Sequence, residues 1–281
     1  MDVTINDCRL NVEILGDDDT SKPVMIVHHG APGLGSMAEP KASFGAFADD
    51  YRVLVFDARG SGSSELKPPF THEQWAADVD ALREWIGAET VVMAGGSYGG
   101  FIAMEYAIRY PDRVAALVLR DTSADHSHQD ASRKNALASD RIEIDHDLFN
   151  RMMDGEIRDD ADFKRAWAHI LLLYDHELNM DKVRERTEST PYHYATHNYA
   201  FSVNQKSYDI KDKLPGITAP TLITVGRSDW ITPVAASEVI HGLIPDSELV
   251  VFEKSGHSPP QEEPEKFQRV VREFLGRALA A

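Results

Sequence analysis

Cysteine is nearly missing from this chain. A single thiol, Cys8, can form neither an internal disulfide nor a thiolate metal site, and its place in an apolar pattern predicts a buried strand residue. Long apolar runs are also missing, since none approaches the roughly 20 residues a membrane span needs. The amino end, MDVTINDCRLNVEILG, has neither a basic start nor an apolar signal segment. Positive charge is scarce: 29 basic residues against 46 acidic leave a net charge of −17. No basic stripe is available to neutralise phosphates, which argues against nucleic acid or an anionic membrane as partner. A soluble, cytoplasmic protein is expected. Repeats and low-complexity stretches are absent too, and Asp17-Asp18-Asp19 reads as a solvated turn.

What is present is an alternation of short β-branched runs with longer helical patterns, the mark of a sheet wound with helices. Strands are predicted over 3–5 and 9–15, a hairpin about Asn6-Asp7, and over 24–27, 52–56, 91–94, 115–119, 221–225 and 248–252. The first pair should be antiparallel and the rest mainly parallel. Trp75, Val79, Leu82 and Ile86 form one helical stripe, with Thr71 and Gln74 as a capping box before it. Further helices are expected from the serine at 97 to about Tyr110, stopped by Pro111, and over 265–279. From about 123 to 214 the strand pattern vanishes and short amphipathic helices replace it. At 281 residues the chain suits one large domain with an insertion: a core of 1–122 and 215–281, and a helical cap of 123–214.

The stretch GGSYGG, residues 95–100, lies between an apolar strand and a helix. It satisfies G-x-S-x-G in the context that gives this motif meaning, a strained strand-to-helix turn that needs small neighbours. Ser97 is therefore a candidate nucleophile. It requires a base and an orienting acid, which follow in the order serine, acid, histidine on such a sheet. Asp229 stands on the loop after the strand 221–225, and His257 on the loop after 248–252. Asp121 is a competing acid, and Asp57 is read as ordering the loop Arg59-Gly60-Ser61-Gly62. The oxyanion donors would be the N–H groups of Tyr98 and of Ala31, in His28-His29-Gly30-Ala31-Pro32-Gly33. His126-Ser127-His128-Gln129-Asp130 looks like the start of a metal site, but Ala131 stands where that pattern continues with histidine. No metal and no cofactor are expected.

With these residues in place, the chain resembles the α/β-hydrolase superfamily and, within it, the proline iminopeptidase group of serine peptidases. HGAPG, FDARGSGSS, GGSYGG, SYDIKDKLPGITAPTLITVGRSDWITP and SGHSPPQEEPEKF carry the resemblance, in order. It implies a mostly parallel eight-stranded sheet flanked by helices, a helical cap over the active site, and Ser97, Asp229 and His257 as triad. The group typically reads HGGPG and has glutamine where this chain has Ala58. Its members hold the substrate's free α-ammonium with cap glutamates, whereas 197–205 here has no carboxylate. Glu177, with Glu185 and Glu188 as further possibilities, and Trp230 beside the acid are the substrate-binding candidates. The expected partner is a small-molecule or short-peptide substrate cleaved through an acyl-enzyme. An esterase or lactonase, a C–C bond hydrolase of ring-cleavage products and a ligand-sensing receptor would use the same fold.

Overall fold

The computed structural model of the chain describes residues 1–16 and 19–280, so Asp17 and Asp18 of the expected acidic turn lie outside the described residues. Its strands are β1 (Asp2–Ile5), β2 (Cys8–Leu15), β3 (Val24–His28), β4 (Arg52–Phe56), β5 (Val91–Gly96), β6 (Val114–Arg120), β7 (Thr221–Gly226) and β8 (Ser247–Phe252). They form an eight-stranded sheet in the order β1-β2-β4-β3-β5-β6-β7-β8. β2 pairs antiparallel with β1 and β4, and every other pair is parallel. At the β1–β2 turn, Asn6 and Asp7 take φ of 47° and 58° and Ile5 faces Cys8. Two positive-φ residues make the turn whose twist matches its strands. Cys8 is buried in β2, as expected.

The helices are α1 (Ala38–Phe44), α2 (His72–Trp85), α3 (Tyr98–Arg109), α4 (His128–Leu137), α5 (His146–Asp154), α6 (Asp160–Ile170), α7 (Met180–Ser189), α8 (Tyr194–Tyr199), α9 (Val234–Leu243), α10 (Pro259–Glu262) and α11 (Pro264–Ala278). Among the described residues, none is long and apolar enough to cross a membrane. The sheet's apolar strands divide by their period of two. Ile26, Leu54, Met93 and Leu117 meet Trp75 and Val79 of α2 and Ile102 of α3. Met25, Val53, Val92 and Val118 meet Phe44 of α1 and Phe267 and Phe274 of α11 on the opposite face. The Thr71 hydroxyl caps α2 by accepting from Gln74 N at 3.2 Å. The Gln74 side-chain NH2 donates to Asp78 at 2.9 Å. α9 continues the strand-helix alternation, whereas α1 has no counterpart among the periodic segments of the sequence. α1 is a single seven-residue piece containing Pro40, too short to show a period.

Between β6 and β7 the chain builds a helical cap. Phe149, Met152, Phe163, Trp167 and Ile170 form its own apolar core, joined from the sheet domain by Leu34 and Trp230. Inside it Arg151 is paired with Asp162 through hydrogen bonds of 2.8 and 3.2 Å. The two ends of this segment lie side by side: His126 N donates to Tyr208 O at 2.9 Å and Ile210 N to Ala124 O at 3.0 Å. An inserted helical layer needs such a closed neck if β6 and β7 are to remain neighbours.

Candidate active site

Ser97 sits between the last residue of β5 and the first of α3, with φ 54° and ψ −125°. A non-glycine residue held there is strained, and the surroundings must over-determine it. They do so by hydrogen bonds from Ser97 N to Arg120 O at 2.9 Å, and to Ser97 O from Gly100 N at 2.9 Å and from the Thr122 hydroxyl at 2.8 Å. The glycines of the motif answer to close approach. A Cβ on Gly95 would stand 2.2 Å from Gly99 O, and one on Gly99 would stand 2.3 Å from His28 O. The loop after β3 is equally close, since a Cβ on Gly30 would reach 3.3 Å from Ser97 Cβ.

Because β5, β7 and β8 run parallel, the loops that follow them meet at one edge of the sheet. There His257 Nδ1 donates to Asp229 Oδ2 at 2.8 Å. The other acceptor positions of Asp229 are filled by Ile231 N at 2.9 Å, Thr232 N at 3.1 Å and the Thr232 hydroxyl at 2.8 Å. The carboxylate is thereby fixed and forces one imidazole tautomer, with the proton on Nδ1 and the lone pair on Nε2. His257 Nε2 is buried and has no hydrogen-bond partner among the described residues. Burial opposes charge on this ring, but the charge and hydrogen bond of Asp229 outweigh it and raise the pKa of His257 above its ordinary value.

Two residues that sequence reasoning undervalued lie directly behind this pair. Arg120, at the end of β6, is buried. Its backbone carbonyl holds Ser97 N, while its guanidinium donates to His257 O at 2.9 Å, to Asp121 at 3.2 Å and to Glu39 of α1 at 2.6 Å. One residue thus ties the serine turn to the histidine loop. Asp121, the alternative acid, has φ 47° and accepts from Gly226 N at 2.9 Å. Burial, then the neighbouring Asp229 charge, pushes its carboxyl up to about 7. The signal was the charged pair Arg120-Asp121 closing an otherwise apolar strand.

Asp121, Asp229 and His257 bring their polar atoms within 4.8 Å of one another, the geometry of a metal cluster. Their oxygens, however, are occupied by N–H and O–H donors, and Arg120 already supplies the positive charge. Hydrogen bonding accounts for the arrangement. The His126, His128 and Asp130 pattern is not assembled: the first and last are exposed and the middle one is buried. Asp57 is tied to Met37 N at 2.7 Å and Ser63 N at 2.8 Å, the loop-ordering role expected of it.

Tyr98 opens α3, so its N–H is among those a helix cannot satisfy internally. The loop carrying Ala31 N–H is braced by hydrogen bonds from Leu34 N at 3.0 Å and Gly35 N at 2.7 Å to Ala31 O. Ala31, Ser97 and Tyr98 all line one cavity beneath the cap, with a free volume of about 30 Å³. Its walls are otherwise mainly apolar, with Met152, Ile170, Phe201 and Ile231 among them, and His128, Gln205 and Thr232 among the polar members. Two expected substrate residues are elsewhere. Glu177 is exposed, as an unpaired carboxylate prefers, and so are Glu185 and Glu188, the latter paired with Lys164 at 2.6 Å. Trp230 turns into the cap core against Phe149 and Tyr174, with ring centroids 6.1 and 5.8 Å apart, and supports the cavity without lining it.

Residues 23–264 match the family described as the alpha/beta hydrolase fold. Proline iminopeptidase PfmaB of Pestalotiopsis fici is 33% identical over 281 residues, covering 97% of this chain and 98% of that protein. A thermophilic esterase from Thermogutta terrifontis superposes with a TM-score of 0.73 at 27% identity, covering 99% of this chain and 98% of that one. The meta-cleavage product hydrolase of Pseudomonas fluorescens IP01 shares the fold, with a TM-score of 0.78 at 21% identity and coverage of 99% and 98%.

Proposed function

The chain belongs to the α/β-hydrolase fold family and is an enzyme of that family; from this premise we propose that it is a serine hydrolase cleaving esters or amides of uncharged, largely apolar acyl groups. Ser97 Oγ attacks the carbonyl carbon and its proton passes to His257 Nε2, while Nδ1–H stays on Asp229. The tetrahedral oxyanion takes hydrogen bonds from the N–H groups of Ala31 and Tyr98, each worth roughly 10²- to 10³-fold in rate. Collapse expels the alcohol or amine, which leaves with the proton from His257. Water, deprotonated by the same nitrogen, then releases the acid from Ser97.

The observation that carries the substrate class is the cavity wall. Among the described residues, no Asp, Glu, Lys or Arg side chain lines the space that Ser97 faces. Burying an ammonium without a carboxylate costs several kcal/mol, so a free α-amine is not what this pocket selects. The competing reading comes from the relative named a proline iminopeptidase. It is decided by kcat/KM for a prolyl arylamide with a free amino group, its N-acetyl analogue and a short-chain ester. The proposal expects ester turnover and no preference for the free amine. A strong free-amine preference would overturn it in favour of an aminopeptidase.

A further inference from the structure

The polar end of the same cavity carries more information than its lack of charge. His128, the first residue of α4, is 7% exposed, and Gln205 is 3% exposed; both line the cavity with Ser97. His128 Nδ1 lies 2.6 Å from the carbonyl oxygen of Asp125. A carbonyl can only accept, so Nδ1 carries the proton. Burial holds the ring neutral by lowering its pKa, which leaves Nε2 as a bare lone pair.

Gln205 Nε2 lies 3.3 Å from that Nε2. Only the NH2 side of the amide can face a lone pair, and the orientation of Gln205 is therefore dictated from the Asp125 carbonyl outward. The consequence falls on Oε1: it is buried and has no hydrogen-bond partner among the described residues. The backbone offers no slack to relieve this. A π-helical turn over Ala200–Asn204 ends with Gln205 N bonded to Ala200 O, and Gln205 O accepts from Tyr208 N at 3.2 Å. Phe101, which lines the cavity, stacks on Tyr208 with ring centroids 4.4 Å apart and lies 5.9 Å from the His128 ring. Gln205 lines the cavity, and a buried acceptor left uncommitted costs stability unless a hydrogen-bond donor completes it.

We infer that Gln205 Oε1, oriented by His128, is a specificity determinant that accepts a hydrogen bond from a neutral O–H or N–H group on the acyl part of the substrate. The inference rests on the reading above only in taking this cavity as the acyl site. The preferred substrate is an ester or amide whose acyl chain is apolar except for one hydroxyl or one amide N–H beyond the scissile carbonyl. An ammonium is excluded as that donor, because a single neutral carbonyl does not offset its desolvation. A pocket built around a buried acceptor discriminates against analogues that leave it unpaired.

The test compares kcat/KM for ethyl hexanoates bearing a hydroxyl at C3 or C6 with their O-methyl ethers. A second arm compares ethyl 6-acetamidohexanoate with its N-methyl amide, so that O–H and N–H donors are told apart. At least one donor-bearing ester should exceed its methylated partner about tenfold or more. That ratio should fall to about one in both Gln205→Met and Gln205→Leu, two variants that remove the acceptor with different bulk. Ratios near one in the unmodified enzyme, or a preference that survives both substitutions, would overturn the inference. If no ester is turned over, the serine-hydrolase reading fails first, and the same pairs are compared as ligands of the Ser97→Ala enzyme by calorimetry. There a tenfold difference in Kd supports the acceptor and equal Kd values refute it.

Discussion

Asp229→Asn separates the two acids that flank His257, and the structure sets its expected cost. Ile231 N and Thr232 N, at 2.9 and 3.1 Å from Oδ1, will hold the oxygen of the new amide. The NH2 must then occupy the site of Oδ2, 2.8 Å from His257 Nδ1. A donor there compels Nδ1 to accept, and the ring proton moves to Nε2, where it blocks transfer from Ser97. A wrong tautomer of this kind lowers kcat by about 10⁴, or about 5.4 kcal/mol of transition-state stabilisation. The fold should barely respond, because the hydrogen bonds from Ile231, Thr232 and His257 are exchanged rather than lost. Steady-state turnover of a short-chain ester, with a thermal melt on the same preparation, reads both quantities. Asp121→Asn, which preserves an acceptor for Gly226 N, should lose far less. Asp229→Asn within tenfold of the parent, with Asp121→Asn down by 10⁴, would refute the reasoning and move the acid to the end of β6.

In pH dependence, the base must be neutral to take the proton of Ser97, and Asp229 raises the pKa of His257. The acidic limb of kcat/KM should therefore lie above the ordinary imidazole value of about 6.5; a limb well below it would contradict the pairing. Among the glycines, Gly99→Ala should destabilise by about 1–3 kcal/mol, since its Cβ would meet backbone oxygens of His28 and His29 at 2.3 and 2.6 Å. Gly242→Ala, on α9 with nothing within 4 Å of its Cβ, should stabilise by about 0.5–1 kcal/mol. Chemical denaturation measures both, and equal effects would sink the close-approach argument.

Much of the fold was legible because the signals were local and strongly periodic. The central strands VMIV, VLVF and VVMA are apolar on both faces, and the stripe of Trp75, Val79 and Leu82 has the helical spacing of a buried face. Ser97, Asp229 and His257 could be picked out since each closes or follows such a strand. What escaped were features set by contacts distant in sequence. Arg120 is an ordinary strand-end arginine until the chain brings residues 39 and 257 to it. Gln205 gains meaning only when His128, 77 positions away, fixes its amide. Glu177 and Trp230 have chemistry suited to a substrate, yet the cap's packing sends one into water and the other into its own core.

The measurement that bears most directly on the account is covalent trapping of the nucleophile. Incubation with a fluorophosphonate, followed by intact mass and peptide mapping, should add one phosphonyl group, on the peptide containing Gly95-Gly96-Ser97-Tyr98, and abolish ester turnover in proportion. Ser97→Ala should neither label nor turn over, while melting close to the parent. Labelling at another residue, or a Ser97→Ala enzyme that keeps near-normal rates, would remove Ser97 from the chemistry and with it the mechanism proposed for this fold.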